Sequence, residues 1–177
     1  MRHPSYYDKS KSFLHEQTIL VDSGTTTIEL INHLSPTLDY IQVVTHSFQV
    51  AALAARLPNV EVLMPGGMVR AYNMTLVGPQ ALSFLDTINA DTVFLATTGF
   101  SVEYGVTNAN ILEVEVKRKI TQRAEKVVLI TDSSKYGKRQ ALQVVPMDRI
   151  DVLITDSDLD AAAAQKLADL AIEVVCV

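Results

Sequence analysis

A single α/β domain, doubly wound around a mostly parallel sheet, is the fold predicted here, and three observations carry it. Short Val/Ile/Leu runs of four or five residues recur along the chain, each closed by a turn-forming group and followed by a stretch with helical spacing. The runs are apolar throughout rather than alternating, as expected of strands covered by helices on both faces. The 177 residues, 48% hydrophobic and 6% aromatic, are enough for one core without disulfide or metal staples.

In order, Thr18-Ile19-Leu20-Val21 is a first strand, ended by Asp22-Ser23-Gly24. Thr25 to Leu34 follows as a helix, with Ile28, Ile31 and Leu34 on one face. Ile41 to Val44 is a second strand, ended by Thr45-His46-Ser47, and a helix to about Arg56 shows Val50, Leu53 and Leu57 at helical spacing. Val60 to Leu63 is a third strand, broken by Pro65-Gly66-Gly67. Met68 to Val77 reads equally as strand or loop, and Gly78 to Leu85 as a helix. Asp91 to Ala96 is a strand, Thr97 to Asn110 a polar loop, and Leu112 to Ala124 a helix. Val127 to Ile130 is a strand leading into Thr131-Asp132-Ser133-Ser134-Lys135. Arg149 to Ile154, Leu159 to Leu170 and Ile172 to Val175 complete the alternation as strand, helix and strand. Residues 1–17 read as an arm or a cloning remnant, with no signal-peptide pattern, and residues 18–177 as one domain.

Composition excludes several function classes. Fifteen basic against 20 acidic residues give a net charge of −5, which disfavours unaided binding to nucleic-acid phosphates. The basic cluster Lys117-Arg118-Lys119 lies among Glu113, Glu115 and Glu125 and reads as a salt-bridged helix face. No apolar run approaches the roughly 20 residues that span a bilayer. The four histidines have no metal-ligand spacing and Cys176 is alone, so no metal and no cofactor is expected. A lone cysteine without a secretion signal points to the cytoplasm. No Gly-x-Ser-x-Gly elbow is present for a serine nucleophile.

What remains is a rim of small polar residues at the strand ends, where ligands bind in open α/β sheets. It comprises Asp22, Ser23, Gly24, Thr25 and Thr26, then Thr45 to Ser47, Gly66-Gly67, Thr97-Thr98-Gly99 and Asp132 to Lys135. Gly24 permits a tight turn, and the N–H groups and hydroxyls of Thr25 to Thr27 can surround an anion at a helix start. The plainer reading is that Ser23 or Thr25 caps the helix, and that Thr45 and Ser47 cap the next one. Lys135 is either a counter-charge for that anion or an ordinary surface lysine. Lys117, flanked by acids, reads by itself as a solvated or ion-paired residue. Asp22, Asp132 and Asp156 each follow a strand, as turn residues or as a carboxylate pair.

The segments Val-Asp-Ser-Gly-Thr-Thr-Thr (21–27), Val-Val-Thr-His-Ser (43–47), Met-Pro-Gly-Gly (64–67), Glu-Val-Lys-Arg (115–118), Thr-Asp-Ser-Ser-Lys-Tyr-Gly (131–137) and Asp-Val-Leu-Ile-Thr-Asp (151–156) occur in this order. Together they resemble the effector-binding domain of DeoR-type bacterial transcriptional regulators, from about Thr18 to Val177. The resemblance implies a fold like ribose-5-phosphate isomerase and the CoA transferases. It also implies a sugar-phosphate sensor of carbohydrate metabolism, often a repressor, that forms dimers or tetramers. DNA would be bound only through an N-terminal helix-turn-helix module that this chain is expected to lack. The expected ligand site is Ser23, Gly24, Thr25 and Thr26 for the phosphate, with charge from Lys117 or Lys135, and Asp22, Thr45, Gly67, Thr97, Thr98 and Gly99 for the sugar hydroxyls. The loop Thr97 to Asn110, long and containing Gly99 and Gly105, is the segment expected to move.

The competing reading is a sugar-phosphate isomerase of the same fold. Such enzymes resemble this chain at Gly24 to Thr26 but carry Gly-Ala-Asp-Glu where this chain has Thr97-Thr98-Gly99-Phe100. Lys117 falls where their catalytic carboxylate is implied to lie, and proton transfer between carbons needs a carboxylate. Glu103, Glu113 and Glu115 are the remaining candidates for that role. A third reading is an oligomerisation module with a vestigial pocket.

Overall fold

The computed structural model describes residues 17–34 and 40–177, so the expected N-terminal arm lies outside the described residues. Its centre is a seven-stranded parallel sheet made of β1 (Thr18–Val21), β2 (Ile41–Thr45), β3 (Val60–Leu63), β6 (Ala90–Leu95), β9 (Ala124–Ile130), β11 (Val152–Thr155) and β12 (Glu173–Cys176). The spatial order is β12-β11-β9-β6-β1-β2-β3. The chain starts in the middle, steps outward through β2 and β3, and returns on the other side of β1 as β6. The order therefore reverses between β1 and β6, which opens a crevice beyond their carboxyl ends.

Successive strand residues face opposite sides, and the two sides bury different sets. Ile19, Val21, Ile41, Val43, Phe94 and Val128 form one core with Leu30 and Ile31 of α1 (Thr25–Asn32) and Val50 and Ala54 of α2 (Phe48–Ala54). Leu20, Val44, Val93, Leu95, Val127 and Leu129 face the other side. There they meet Leu85 of α3 (Pro79–Leu85), Val116 and Ile120 of α4 (Ile111–Gln122) and Leu167 of α5 (Ala161–Ala168).

Three segments go beyond the sequence-based expectation, the first by settling what it leaves open and the other two by departing from it. Met68 to Val77 is a hairpin, β4 (Met68–Arg70) and β5 (Thr75–Val77), closed through Met74 at φ 52. Thr97 to Asn110 is not an irregular polar loop. It holds β7 (Gly99–Ser101) and β8 (Gly105–Asn108), and with β10 (Leu142–Val145) these form a three-stranded antiparallel sheet on the α4 face. Its polar residues satisfy backbone rather than water: the Thr107 hydroxyl donates to Gly99 O at 2.9 Å and accepts from Gln140 N at 3.0 Å. Phe100 is fully buried, edge-on to Tyr136 with ring centres 5.4 Å apart.

The third is the basic cluster on α4, which is not one salt-bridged face. Successive residues are 100° apart on a helix, so the three cations diverge. Lys117 turns inward to Asp22, Lys119 reaches Asp86 at 2.7 Å, and Arg118 donates to the carbonyls of Gln143 and Val144.

Candidate functional site

The crevice at the β1/β6 switch point is an open cleft of about 390 Å³. Its first wall is the turn between β1 and α1, Ser23 to Thr26. Neither Ser23 nor Thr25 is the N-cap residue: that position is Gly24, which has no side chain to cap the helix with. The first intrahelical bond runs from Ile28 N to Gly24 O at 3.0 Å, so the N–H groups before it point out of the helix start. A Cβ on Gly24 would stand 2.8 Å from Ala96 Cβ, which is why the turn can lie against the end of β6 only as glycine. Thr27, fully buried, holds the turn from below through the carbonyls of Asp22 and Gly24, at 2.8 and 2.9 Å. Of the groups that shape the turn, Gly24 and Ala96 line the cleft and Thr27 does not.

Beneath it lies a buried charge pair. Asp22 is 0% exposed, and its Oδ2 accepts from Lys117 Nζ and, at 2.9 Å, from Ala96 N. Lys117, 2% exposed, also donates to Ala96 O at 3.0 Å and reaches the cleft wall. So Lys117 is ion-paired but not solvated. Asp22 lies under the cleft rather than in its lining. His46 Nε2 stands 3.7 Å from Asp22 Oδ1, too far for a hydrogen bond.

Burial pushes the His46 pKa down from 6.5 to about 4, with Lys117 acting in the same direction and Asp22 opposing. The sign follows from linkage. Below pH 6.5 the unfolded chain takes up a proton that the folded chain refuses until about pH 4, so stability falls as pH drops through that window. The loss reaches about 3 kcal/mol at the lower end, and above pH 6.5 His46 contributes no pH dependence. Denaturant titrations at several pH values are expected to show this slope in the native chain and a flatter one in His46→Gln. Parallel slopes in the two proteins would contradict it.

Across the cleft, Thr97 and Thr98 follow β6, and Lys135 stands on a 3₁₀ turn, Ser133–Lys135, after β9. Lys135 is about one-third exposed and 4.0 Å from Asp132. Eight of the expected residues therefore line one cleft: Ser23 to Thr26, Thr97, Thr98, Lys117 and Lys135. Thr45, Gly67 and Gly99 do not line it. Thr45 is buried, its hydroxyl donating to Val21 O at 2.7 Å to tie β2 to β1. It also accepts from Ser47 N at 3.1 Å, while Ser47 alone caps α2 by accepting from Val50 N. Gly67 packs on β5, where a Cβ would stand 2.7 Å from Val77 O, and Gly99 is backed by the Lys138 carbonyl.

The structure adds a polar wall that the sequence reading missed. Glu113 Oε1 accepts from Arg70 Nη1 and from Asn73 Nδ2, and Oε2 accepts from Asn108 Nδ2 at 3.2 Å. Asn73, Asn108 and Glu113 face the cleft, brought together from the β4–β5 hairpin, β8 and the first turn of α4. Of the three carboxylates left open for isomerase chemistry, only Glu113 lines the cleft. Glu103 and Glu115 are exposed elsewhere, and Glu113 already accepts from three donors. Among the described residues no helix is long and apolar enough to cross a membrane.

Comparison with known proteins agrees with this architecture. Residues 11–157 match the family described as the DeoR C terminal sensor domain. The HTH-type transcriptional regulator GlpR of Haloferax volcanii is 37% identical over 159 residues, covering 90% of this chain and 62% of that protein. The HTH-type transcriptional regulator IolR of Bacillus subtilis is 32% identical over 142 residues, covering 80% of this chain and 56% of that protein. The chain thus spans less than two thirds of either relative. A D-ribose-5-phosphate isomerase solved in complex with phospho-erythronic acid superposes with a TM-score of 0.54 at 14% identity, over 75% of this chain and 52% of that one. That likeness concerns the fold alone. The sheet order, the strand-end cleft and the match over residues 11–157 establish that this chain belongs to the DeoR C-terminal sensor-domain family.

Proposed function

We propose that the cleft binds a phosphorylated sugar or polyol, and that the domain reports this ligand to a DNA-binding module of a transcriptional regulator of carbohydrate metabolism. The observation that carries the reading is the glycine-capped start of α1, opening into a cleft that also holds Lys117 and Lys135. Helix-start N–H groups and the helix dipole favour an anion there, and Lys135 raises that preference, the charge of Lys117 being balanced by Asp22. The phosphate sits against Ser23 to Thr26 with Lys135 beside it. Lys117 has one N–H left after Asp22 and Ala96 to offer the ligand. The sugar hydroxyls meet Thr97, Thr98, Asn73, Asn108 and Glu113, which offer both donors and acceptors.

No bond is made or broken in this scheme. The ligand acts by binding one arrangement of the domain more tightly than another, which biases the attached module. The protein works in the cytoplasm as a homo-oligomer, and DNA is contacted only by that module.

Titration calorimetry with the sugar phosphate that most raises the melting temperature tests the site. Lys135→Ala is expected to weaken that ligand by about 1.5–3 kcal/mol, the scale of a charged hydrogen bond. Binding of the unphosphorylated parent should be unaffected. Equal affinity of the two proteins for the phosphorylated ligand would remove Lys135 from the site, and turnover of the ligand would favour the isomerase.

A further inference from the structure

Exposed apolar side chains are unevenly distributed over this molecule. Of the seven large hydrophobic residues that stand exposed among the described residues, Met68, Val69, Tyr72 and Met74 lie on the β4–β5 hairpin. A fifth, Ile111, begins α4 beside Glu113, to which the hairpin is bonded through Arg70 and Asn73. Tyr72 is 90% exposed and Met68 54%, far more than a hairpin packed on its own domain requires.

The two edges of the hairpin differ as well. β5 is covered: Leu76 N donates to His46 O at 2.8 Å, and Phe48 N to Met74 O at 3.0 Å. The outer edge of β4 pairs with no strand among the described residues. An open strand edge flanked by apolar groups is a template for another strand. Charge adds a third observation. The chain carries a net −5, yet from Val62 to Leu85 it has no carboxylate, and its one cation, Arg70, is neutralised by Glu113.

We propose that the outer edge of β4 is a two-fold interface at which a second copy of this chain docks. Antiparallel pairing of a strand edge with itself is self-complementary, as a two-fold contact demands. Centred on Val69, it places Val69 against Val69 and Met68 against Arg70 of the other copy, joining two hairpins into one four-stranded sheet. Tyr72, Met74 and Ile111 flank the join. Two acidic molecules meet there without bringing unpaired carboxylates together, which is the reason a second copy fits this surface. The proposal is independent of the ligand assigned above. The tip of the same hairpin, Tyr72 to Met74, lines the cleft, so the contact and the cleft share one element.

Sedimentation velocity of the 177-residue chain tests this, with circular dichroism to confirm folding. The native chain is expected to sediment as a dimer. Val69→Lys, at an exposed position, should weaken the dimer at least tenfold while the circular dichroism spectrum of the folded chain is unchanged. Leu170→Lys, at an exposed apolar residue on the far side of the sequence, should leave it intact. In a Cys176→Ser background, Val69→Cys should give a disulfide-linked dimer on mild oxidation. A native chain that stays monomeric at all concentrations would overturn the proposal, leaving the hairpin to another partner. So would a dimer that survives Val69→Lys and gives no cross-link through Val69→Cys.

Discussion

Replacing Lys117 with methionine is expected to lower folding stability by about 3–5 kcal/mol, the scale of removing one partner from a buried ion pair. Asp22 is fully buried, and its Oδ1 has no hydrogen-bond partner, so its charge is balanced through Oδ2 alone. Methionine matches the lysine stem in length, which keeps the loss electrostatic rather than a matter of packing. Asp22→Asn combined with Lys117→Met should recover most of the loss, because no uncompensated charge is left behind. A double-mutant cycle by urea denaturation reads the coupling directly. A loss below about 1 kcal/mol for Lys117→Met would mean the pair behaves as a solvated one.

Gly105→Ala should cost about 3 kcal/mol, against about 1 kcal/mol for Gly137→Ala. Both glycines are left-handed, at φ 69 and 76, where a side chain costs about 1–2 kcal/mol. Only Gly105 is also crowded: a Cβ there runs into Val145 O and stands 2.8 Å from Pro146 Cα, whereas nothing lies within 4 Å of one at Gly137. The difference measures the contact between the β7–β8 hairpin and the end of β10. Equal costs for the two substitutions would show that this sheet is not packed as described.

The same region shows where sequence reading ends. The seven parallel strands were legible because each carries a short, mostly Val/Ile/Leu run set off by turn or helical segments, as in Thr18 to Val21 and Val127 to Ile130. β7 and β8 were not, because Thr97, Thr107 and Asn108 look like loop residues until their partners are known. Thr97 bonds Gly99 and Thr107 nearby, but the further partners of Thr107 and Asn108 lie on β10 and at Gln140, more than 30 residues away, where no local pattern announces them. β10 itself, Leu142 to Val145, is half exposed and too short for periodicity to separate it from a turn.

The site divides in the same way. The turn Ser23 to Thr26 was legible as a strand-end turn opening a helix, and it lines the cleft. The buried state of Lys117 had a signal that charge pattern concealed: it lies three residues after Val114 and three before Ile120, on the apolar stripe of α4. From the sequence, Glu113 reads only as part of a salt-bridged helix face or as a carboxylate left open for isomerase chemistry. Here it turns instead to Arg70, Asn73 and Asn108, two of them some 40 positions away. Thr45, Gly67 and Gly99 mislead for the opposite reason, since small polar residues and glycines at strand ends also serve to bring backbones close.

The central claim is that a phosphate binds at the glycine-capped start of α1, and backbone amide NMR tests it most directly. The chain would be titrated with a panel of phosphorylated sugars, sugar acids and polyols and with their unphosphorylated parents. For at least one phosphorylated member, the account predicts that the largest amide shifts fall on Ser23 to Thr26 and Lys135, with little change at the start of α5. The matching parent should leave Ser23 to Thr26 unmoved. No response from these amides to any phosphorylated member, or the same response to the parents, would contradict the account.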